Sequence, residues 1–145
     1  MMNERAEKPF SAEGEKTEAG TYEVKARGEV VDFLRRKINE EKPNGKFLVN
    51  TTFLCSLDNM NIYLGLPTLG HDNLAREFNL RYENVVGGIL MLQRVGSRLD
   101  LCITPATGSY YGATKEDAKK FAPAIAEFLS KKLGQIVRIP ESFFL

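Results

Sequence analysis

The sequence contains no tryptophan, one histidine and two cysteines, which leaves few groups for catalysis or metal binding. Cys55 and Cys102 lack the paired spacing from which structural zinc sites are built. His71 lies in no catalytic motif, and we interpret it as a loop residue beside a helix start. A nucleophilic pair of His71 and Cys55, assisted by Asp58 and Asp72, is the alternative. With no glycine-rich phosphate loop either, we predict a protein that is not an enzyme and needs no metal or cofactor.

A long apolar run and a strong net charge are also missing. No stretch approaches the roughly 18 consecutive apolar residues of a membrane-spanning helix, and residues 1–20 lack the apolar core of a secretory signal. The formal net charge is +1, from 20 basic and 19 acidic residues, so no global field draws the chain onto nucleic acid or an anionic membrane. We therefore expect a cytoplasmic protein with two buried thiols, which meets charged partners through local patches.

The N-terminus differs in composition from the rest of the chain. Residues 1–20 carry five glutamates, three basic residues and one large aromatic, Phe10. Such a segment cannot bury enough apolar surface to offset the entropy of ordering. We predict a disordered extension over 1–20 and one α+β domain over 21–145, because 145 residues with 43% hydrophobic content suit a single core.

Apolar periodicity predicts three helices. Val30, Leu34 and Ile38 fall four apart, as on the buried side of an amphipathic helix. Thr114 with Asp117 resembles a helix cap, and Pro123 predicts either a kink or a break in the helix that follows. The predicted helices run from Tyr22 to Glu41, from Asp72 or Asn73 to Phe78, and from Thr114 to Gly134.

Alternating apolar residues predict an antiparallel set of strands. Gly87 and Gly88 are assigned to a turn or bulge, and Gly96 with Ser97 to a tight hairpin turn. The apolar end of the chain after Gly134 either packs back onto the sheet or remains exposed. The predicted strands run from Lys46 to Cys55, Ile62 to Leu64, Leu80 to Val86, Ile89 to Arg94 and Leu99 to Ile103, with a short strand or shaped loop from Ser109 to Gly112.

Basic residues gather near the ends of the last helix, and two tyrosines precede it. The basic residues form either a solvated helix face or a patch for an acidic protein or an anionic lipid headgroup. Tyr110 and Tyr111 are either core residues or aromatic anchors of an interface. The basic residues are Lys115, Lys119, Lys120, Lys131, Lys132 and Arg138.

The order of helix, two strands, short helix, antiparallel strands and long helix resembles the profilin family. The local match is best from Gly87 to Leu101, where a glycine pair, a strand, a tight turn and a second apolar strand follow one another. The resemblance implies a central antiparallel β-sheet flanked by N- and C-terminal helices. It also implies a cytoskeleton-associated protein that binds monomeric actin and regulates actin polymerisation.

Site residues follow from the same resemblance by position. It implies further ligands of two kinds, proline-rich peptides and the anionic headgroups of phosphoinositides. The implied actin-binding residues are Tyr110, Tyr111, Lys115, Lys119 and Lys120. The implied peptide-binding residues are Tyr22, Phe33 and Phe128.

Two other families offer alternatives. The chain from Lys46 to Gly134 also resembles one repeat of the TATA-binding fold, which would place Val86 and Ile103 at the positions of DNA-inserting wedges. A small adaptor or dimerisation domain of the roadblock type uses comparable sheet and helix elements. Because the net charge is near zero and the wedge positions hold no phenylalanine, we expect a protein partner and no nucleic acid.

Overall fold

The computed structural model describes residues 12–16, 22–40, 47–81, 83–108 and 110–145. They form a mixed α+β fold, which confirms the predicted class. The strands are β1 (Ala12–Lys16), β2 (Glu23–Arg27), β3 (Phe47–Ser56), β4 (Asn61–Gly65), β5 (Val85–Val95), β6 (Arg98–Thr104), β7 (Tyr111–Gly112) and β8 (Val137–Arg138). The helices are α1 (Gly28–Ile38), α2 (His71–Glu77) and α3 (Lys115–Leu133).

The described strands form a single sheet in the order β1-β2-β4-β3-β5-β6-β8, with β7 beside β5. Its centre is antiparallel, because β3 pairs with β4 through a short turn and β5 pairs with β6 through the turn at Gly96. Gly96 has φ of 63°, a conformation that glycine adopts at little cost. The predicted hairpin at Gly96 is therefore confirmed.

The first and last helices pack on one face of the sheet and α2 packs on the other. In α1, Val30, Leu34 and Ile38 are buried against the sheet, as their spacing predicted. The second face carries a smaller cluster beneath α2, in which Leu74 packs with residues of β3 and β4. The sheet is thus covered on both faces, by two helices on one side and one on the other.

Both ends of α3 follow from its sequence. Asp117 N donates to Thr114 Oγ1 over 3.0 Å, and the reciprocal bond completes a capping box. Gly134 ends the helix with φ of 67° in the left-handed region. The helix runs unbroken through Pro123, so the predicted alternative of two short helices is wrong.

The predicted first helix begins too early. The residues from Glu23 to Arg27 form β2, whose Val24 and Ala26 are buried in the main core while Glu23 and Lys25 point to the other face. Parallel pairing with β4 explains this, since a tertiary pairing overrides local helix propensity.

Two further strand boundaries were wrong. The described residues before Val85, which are Leu80, Arg81, Glu83 and Asn84, are not in a strand, and Asn84 takes φ of 55°. Gly87 and Gly88 do not form a turn but lie inside β5, which is continuous from Val85 to Val95.

Five residues of the predicted extension are described as a strand. Ala12–Lys16 pairs antiparallel with β2. The disorder of residues 1–20 in the free protein stays a prediction. The remainder of residues 1–20 lies outside the described residues.

The chain after α3 packs back onto the sheet. Val137–Arg138 pairs parallel with β6, and Ile103 N donates to the Phe143 carbonyl over 2.8 Å. Phe143 is buried. Of the two alternatives for this segment, packing is therefore the correct one, although Ile136 stays exposed.

None of the helices in the described part of the chain has the length and apolarity that crossing a lipid bilayer requires.

Candidate functional site

The surface at the start of α3 brings together four of the five residues predicted to bind actin. The Tyr111 side chain is 84% exposed, and it precedes the exposed Lys115, Lys119 and Lys120. Lys119 makes one loose contact, 4.0 Å from Glu116 within the helix. We call Tyr111, Lys115, Lys119 and Lys120 the α3-start surface.

Backbone pairing fixes Tyr111 in place. The two-residue strand β7 pairs parallel with β5, and Ala113 N donates to the Gly87 carbonyl over 2.9 Å. A Cβ on Gly112 would overlap the carbonyl oxygen of Pro105, so only glycine fits between the strand and the preceding loop. The backbone at Tyr111 is therefore tied to β5 while its ring extends into solvent.

Beside Tyr111 lies a cavity of about 560 Å³. Its apolar lining comes from Leu57, Val85 and Val86, and two acidic residues, Glu83 and Asp117, line it as well. The sequence analysis missed Leu57 and Val85, because they reach this place from the β3–β4 turn and from the start of β5. The cavity can accept an apolar side chain of a partner next to the exposed tyrosine.

Tyr110, the fifth predicted residue, does not belong to this surface. It is only 8% exposed and packs in the cluster under α2 with Leu54 and Val85. Its backbone is held by Thr107, whose Oγ1 donates to the Tyr110 carbonyl over 2.8 Å. Of the two alternatives for the tyrosine pair, Tyr110 is a core residue and Tyr111 is a surface residue.

The three residues predicted to bind proline-rich peptides do not form one open face. Phe128 is fully buried, Tyr22 is 7% exposed with its ring 6.1 Å from that of Phe121, and Phe33 is half-buried on α1. Arg35 Nε donates to the carbonyl of Lys132 over 2.9 Å, which joins α1 to α3.

His71 has a structural role. It is the first residue of α2 rather than a loop residue, it is buried, and its Nε2 donates to the Gly88 carbonyl over 2.9 Å. This bond holds α2 against β5. Cys55 packs in the main core on the opposite face of the sheet, so the alternative of a nucleophilic pair between Cys55 and His71 is wrong.

Both thiols are free and buried. Burial, with a smaller contribution from the Asp117 carboxylate, raises the pKa of the Cys55 thiol to about 12. Burial also raises the pKa of Cys102, and the Asp100 carboxylate adds to that shift. Because the thiolate is the reactive form, neither cysteine is suited to act as a nucleophile at neutral pH.

We expect a thiol-specific reagent such as Ellman's reagent to label neither cysteine of the native protein at about pH 8, and to label both at once in denaturant. Any slow labelling of the native protein should follow the fraction of molecules in which the core is open. Absorbance at the thiolate product's wavelength measures this, and a Cys102→Ala variant isolates the signal of Cys55. Rapid stoichiometric labelling of Cys55 in the native protein would contradict its burial.

The structure also shows where the residues of the DNA-binding alternative lie. At the wedge positions of the TATA-binding alternative, Ile103 is fully buried, and Val86 is buried except where it lines the cavity beside Tyr111, so neither side chain projects to insert between bases. Among the residues that the structure describes, no group of three or more His, Cys, Asp or Glu side chains could hold a metal ion.

Comparison with known proteins gives no match, either to the models of protein families or to the curated proteins. The function must therefore be inferred from the residues themselves.

Proposed function

We propose that this protein is a non-catalytic, profilin-like module that binds monomeric actin through the α3-start surface and so regulates actin polymerisation. The observation that carries the proposal is the exposure of Tyr111, 84%, next to three exposed lysines and a cavity of about 560 Å³.

An exposed tyrosine on a fixed backbone suits an interface anchor. Its ring offers a large contact area and loses little side-chain entropy on binding, and tyrosine is enriched among residues that dominate binding energy. Because β7 already holds the backbone, little ordering remains to be done when a partner arrives.

The three lysines favour a partner whose surface is acidic. Lys115, Lys119 and Lys120 suit a protein surface that carries carboxylates, and such complementarity raises the association rate and fixes orientation. An anionic phosphoinositide headgroup would compete for the same lysines in this proposal.

The placement of the terminal helices supports the profilin-like interpretation. The first and last helices share one face of a sheet whose centre is antiparallel, which is the arrangement that the resemblance implies.

Pyrene-actin polymerisation with the full chain tests the proposal. We expect slower nucleation and a higher concentration of free monomer. We expect Tyr111→Ala to weaken binding to monomeric actin by about tenfold or more, as loss of an interface anchor does. The free energy of unfolding should stay within about 0.5 kcal/mol of the parent, because the ring is almost fully solvated.

The matched control is Ile136→Ala, which removes an exposed apolar side chain, 67% solvated, from another part of the surface. It should leave the polymerisation curve unchanged. If the parent protein has no effect on polymerisation at tens of micromolar, actin is not its partner.

A further inference from the structure

The cavity of about 560 Å³ beside Tyr111 has two acidic residues in its lining and, within the described part of the chain, no basic residue. The acidic residues are Glu83, which lies just before β5, and Asp117, which lies in the first turn of α3. The leucine and valine side chains described above surround them. We call this space the Tyr111 cavity.

Neither of these two acidic residues forms an ion pair within the described residues. Glu83 is exposed. Asp117 Oδ2 accepts a hydrogen bond from Thr114 N over 3.5 Å, which uses one of its two carboxylate oxygens. The acidic residues that do form ion pairs are Glu23, Asp32, Glu40, Glu77, Asp100 and Glu116.

Arg81 is the basic residue closest to Glu83 in the chain. It lines an adjoining cavity of about 280 Å³, which Glu83 also lines, but not the Tyr111 cavity. Arg81 is exposed, and in the described part of the chain it forms no ion pair with Glu83. An exposed arginine near an exposed carboxylate contributes little stability and leaves the carboxylate available to a partner.

The lysines of the α3-start surface lie beside the cavity and do not line it. Lys115 and Lys119 are two positions before and after Asp117, and residues two apart on a helix do not face each other. Lys120 lies almost one turn further along α3. A partner therefore meets positive charge on the α3-start surface and negative charge in the Tyr111 cavity.

Hydrogen bonds hold the walls of the Tyr111 cavity. Leu57 N donates to the Asn84 carbonyl over 2.8 Å, and Asn84 Nδ2 donates to the two carboxylate oxygens of Asp58 over 2.9 and 3.0 Å. On the other side, the capping box fixes the start of α3. Because these bonds are already formed, a ligand needs to order little of the site when it binds.

Such a lining suits a side chain that combines an aliphatic stem with a positive charge. A wholly apolar side chain would fill the volume but cover the carboxylates of Glu83 and Asp117 without pairing them, which costs free energy. Arginine fits better than lysine, because a guanidinium is more weakly hydrated than an ammonium group and stacks on aromatic rings. The ring available for stacking is that of Tyr111, which lines the same cavity.

We propose that the Tyr111 cavity binds an arginine side chain of the partner protein, whose guanidinium pairs with Glu83 and Asp117 and stacks on the Tyr111 ring. On the partner, this arginine lies beside the acidic residues that meet the lysines of the α3-start surface. The inference rests on the proposed function in taking the surface around Tyr111 as the interface, and it adds the type of residue that the partner presents there.

An NMR titration of the isotopically labelled full chain tests the cavity with a defined probe. The probe is N-acetyl-arginine N-methylamide, and the matched control is its citrulline analogue, which has nearly the same shape and no charge. We expect saturable shifts of the backbone amides of Leu57, Val86 and Gly112, which line the cavity. The arginine probe should bind about tenfold more tightly than the citrulline probe, because only its guanidinium forms charge-assisted hydrogen bonds.

Glu83→Gln removes one of the two carboxylates and keeps the shape of the side chain. We expect it to weaken binding of the arginine probe by about threefold, the effect of one exposed charge pair, and to leave the citrulline probe unaffected. The matched control is Glu116→Gln, because the Glu116 side chain is 82% exposed on the same turn of α3 and does not line the cavity. It should change the binding of neither probe.

Three results would overturn the proposal. They are equal binding of the two probes, shifts that leave out Leu57, Val86 and Gly112, and arginine binding that Glu83→Gln does not weaken. The absence of saturable binding of the arginine probe counts as the first of these.

Actin assays separate this inference from the proposed function. We expect Glu83→Gln, and not Glu116→Gln, to weaken binding to monomeric actin by about threefold. If Tyr111→Ala weakens actin binding and Glu83→Gln does not, the proposed function stands and the arginine inference is wrong. If the titration succeeds but the parent protein has no effect on polymerisation, the cavity binds the arginine of a different partner and actin is excluded.

Discussion

Gly88→Ala is expected to destabilise the protein by about 3 kcal/mol or more, which is a large part of the stability of a typical domain. A Cβ at this position would overlap the carbonyl oxygen of Thr104 and lie 2.9 and 3.0 Å from two ring carbons of Phe53. Thr104 belongs to the ladder between β5 and β6, and Phe53 is fully buried, so neither can move without a cost elsewhere. Urea unfolding, followed by circular dichroism, measures the change in the free energy of unfolding.

Gly96→Ala is the matched control for this substitution. No atom lies within 4 Å of a Cβ at Gly96, and the strain there comes only from φ of 63°. We expect a loss of about 1 kcal/mol. If Gly88→Ala costs no more than Gly96→Ala, the close approach of β5 to Thr104 and Phe53 is not rigid.

The role of the glycine pair could not be predicted from the local sequence. Gly87 and Gly88 signalled a backbone constraint, and the sequence analysis assigned it to a turn or bulge. The actual constraint is tertiary, since a Cβ on Gly87 would lie 2.8 Å from a methyl carbon of Leu54 across the sheet. No local pattern distinguishes a glycine that turns the chain from one that admits a neighbouring side chain.

Helices were predicted better than the strands beside them. The burial of Leu34 and Phe121 followed from a period near four, which is a local property. The assignment of residues 23–27 failed because β2 exists only through its pairing with β1 and β4.

The candidate site was predictable in part for the same reason. Helical periodicity placed Lys115, Lys119 and Lys120 on an outer face, and all three are exposed. Strand alternation predicts that one tyrosine of the pair points inward. Only the pairing of Tyr111 with Val86 decides which one.

The unequal pairing of β3 with its two neighbours was not predicted, although the sequence held a signal for it. The predicted strand from Lys46 to Cys55 was ten residues long and its hairpin partner only three. A hairpin of unequal strands leaves part of the longer one unpaired. Whether another element covers that part depends on where α1 and the turn at Pro67 lie, which is settled by packing.

Phe121→Ala is expected to lower the free energy of unfolding by about 3–5 kcal/mol, the range for removing a buried aromatic ring. Phe121 is fully buried on α3, with its ring 5.5 Å from that of Phe53 and 6.1 Å from that of Tyr22. It therefore joins the last helix to the sheet and to the entry of β2. Guanidinium unfolding, followed by circular dichroism, measures the loss.

Two controls separate burial from size. Phe121→Leu keeps most of the apolar volume and should cost less than the alanine variant, while Phe47→Ala removes a ring that is 39% exposed and should cost still less. Phe121 holds α3, which carries Lys115, Lys119 and Lys120, so under the proposed function the alanine variant should also weaken actin binding without changing a residue of the α3-start surface. If Phe121→Ala lowers the free energy of unfolding by less than about 1 kcal/mol, then α3 is held mainly by its ends, through the capping box at Thr114 and the β8 segment.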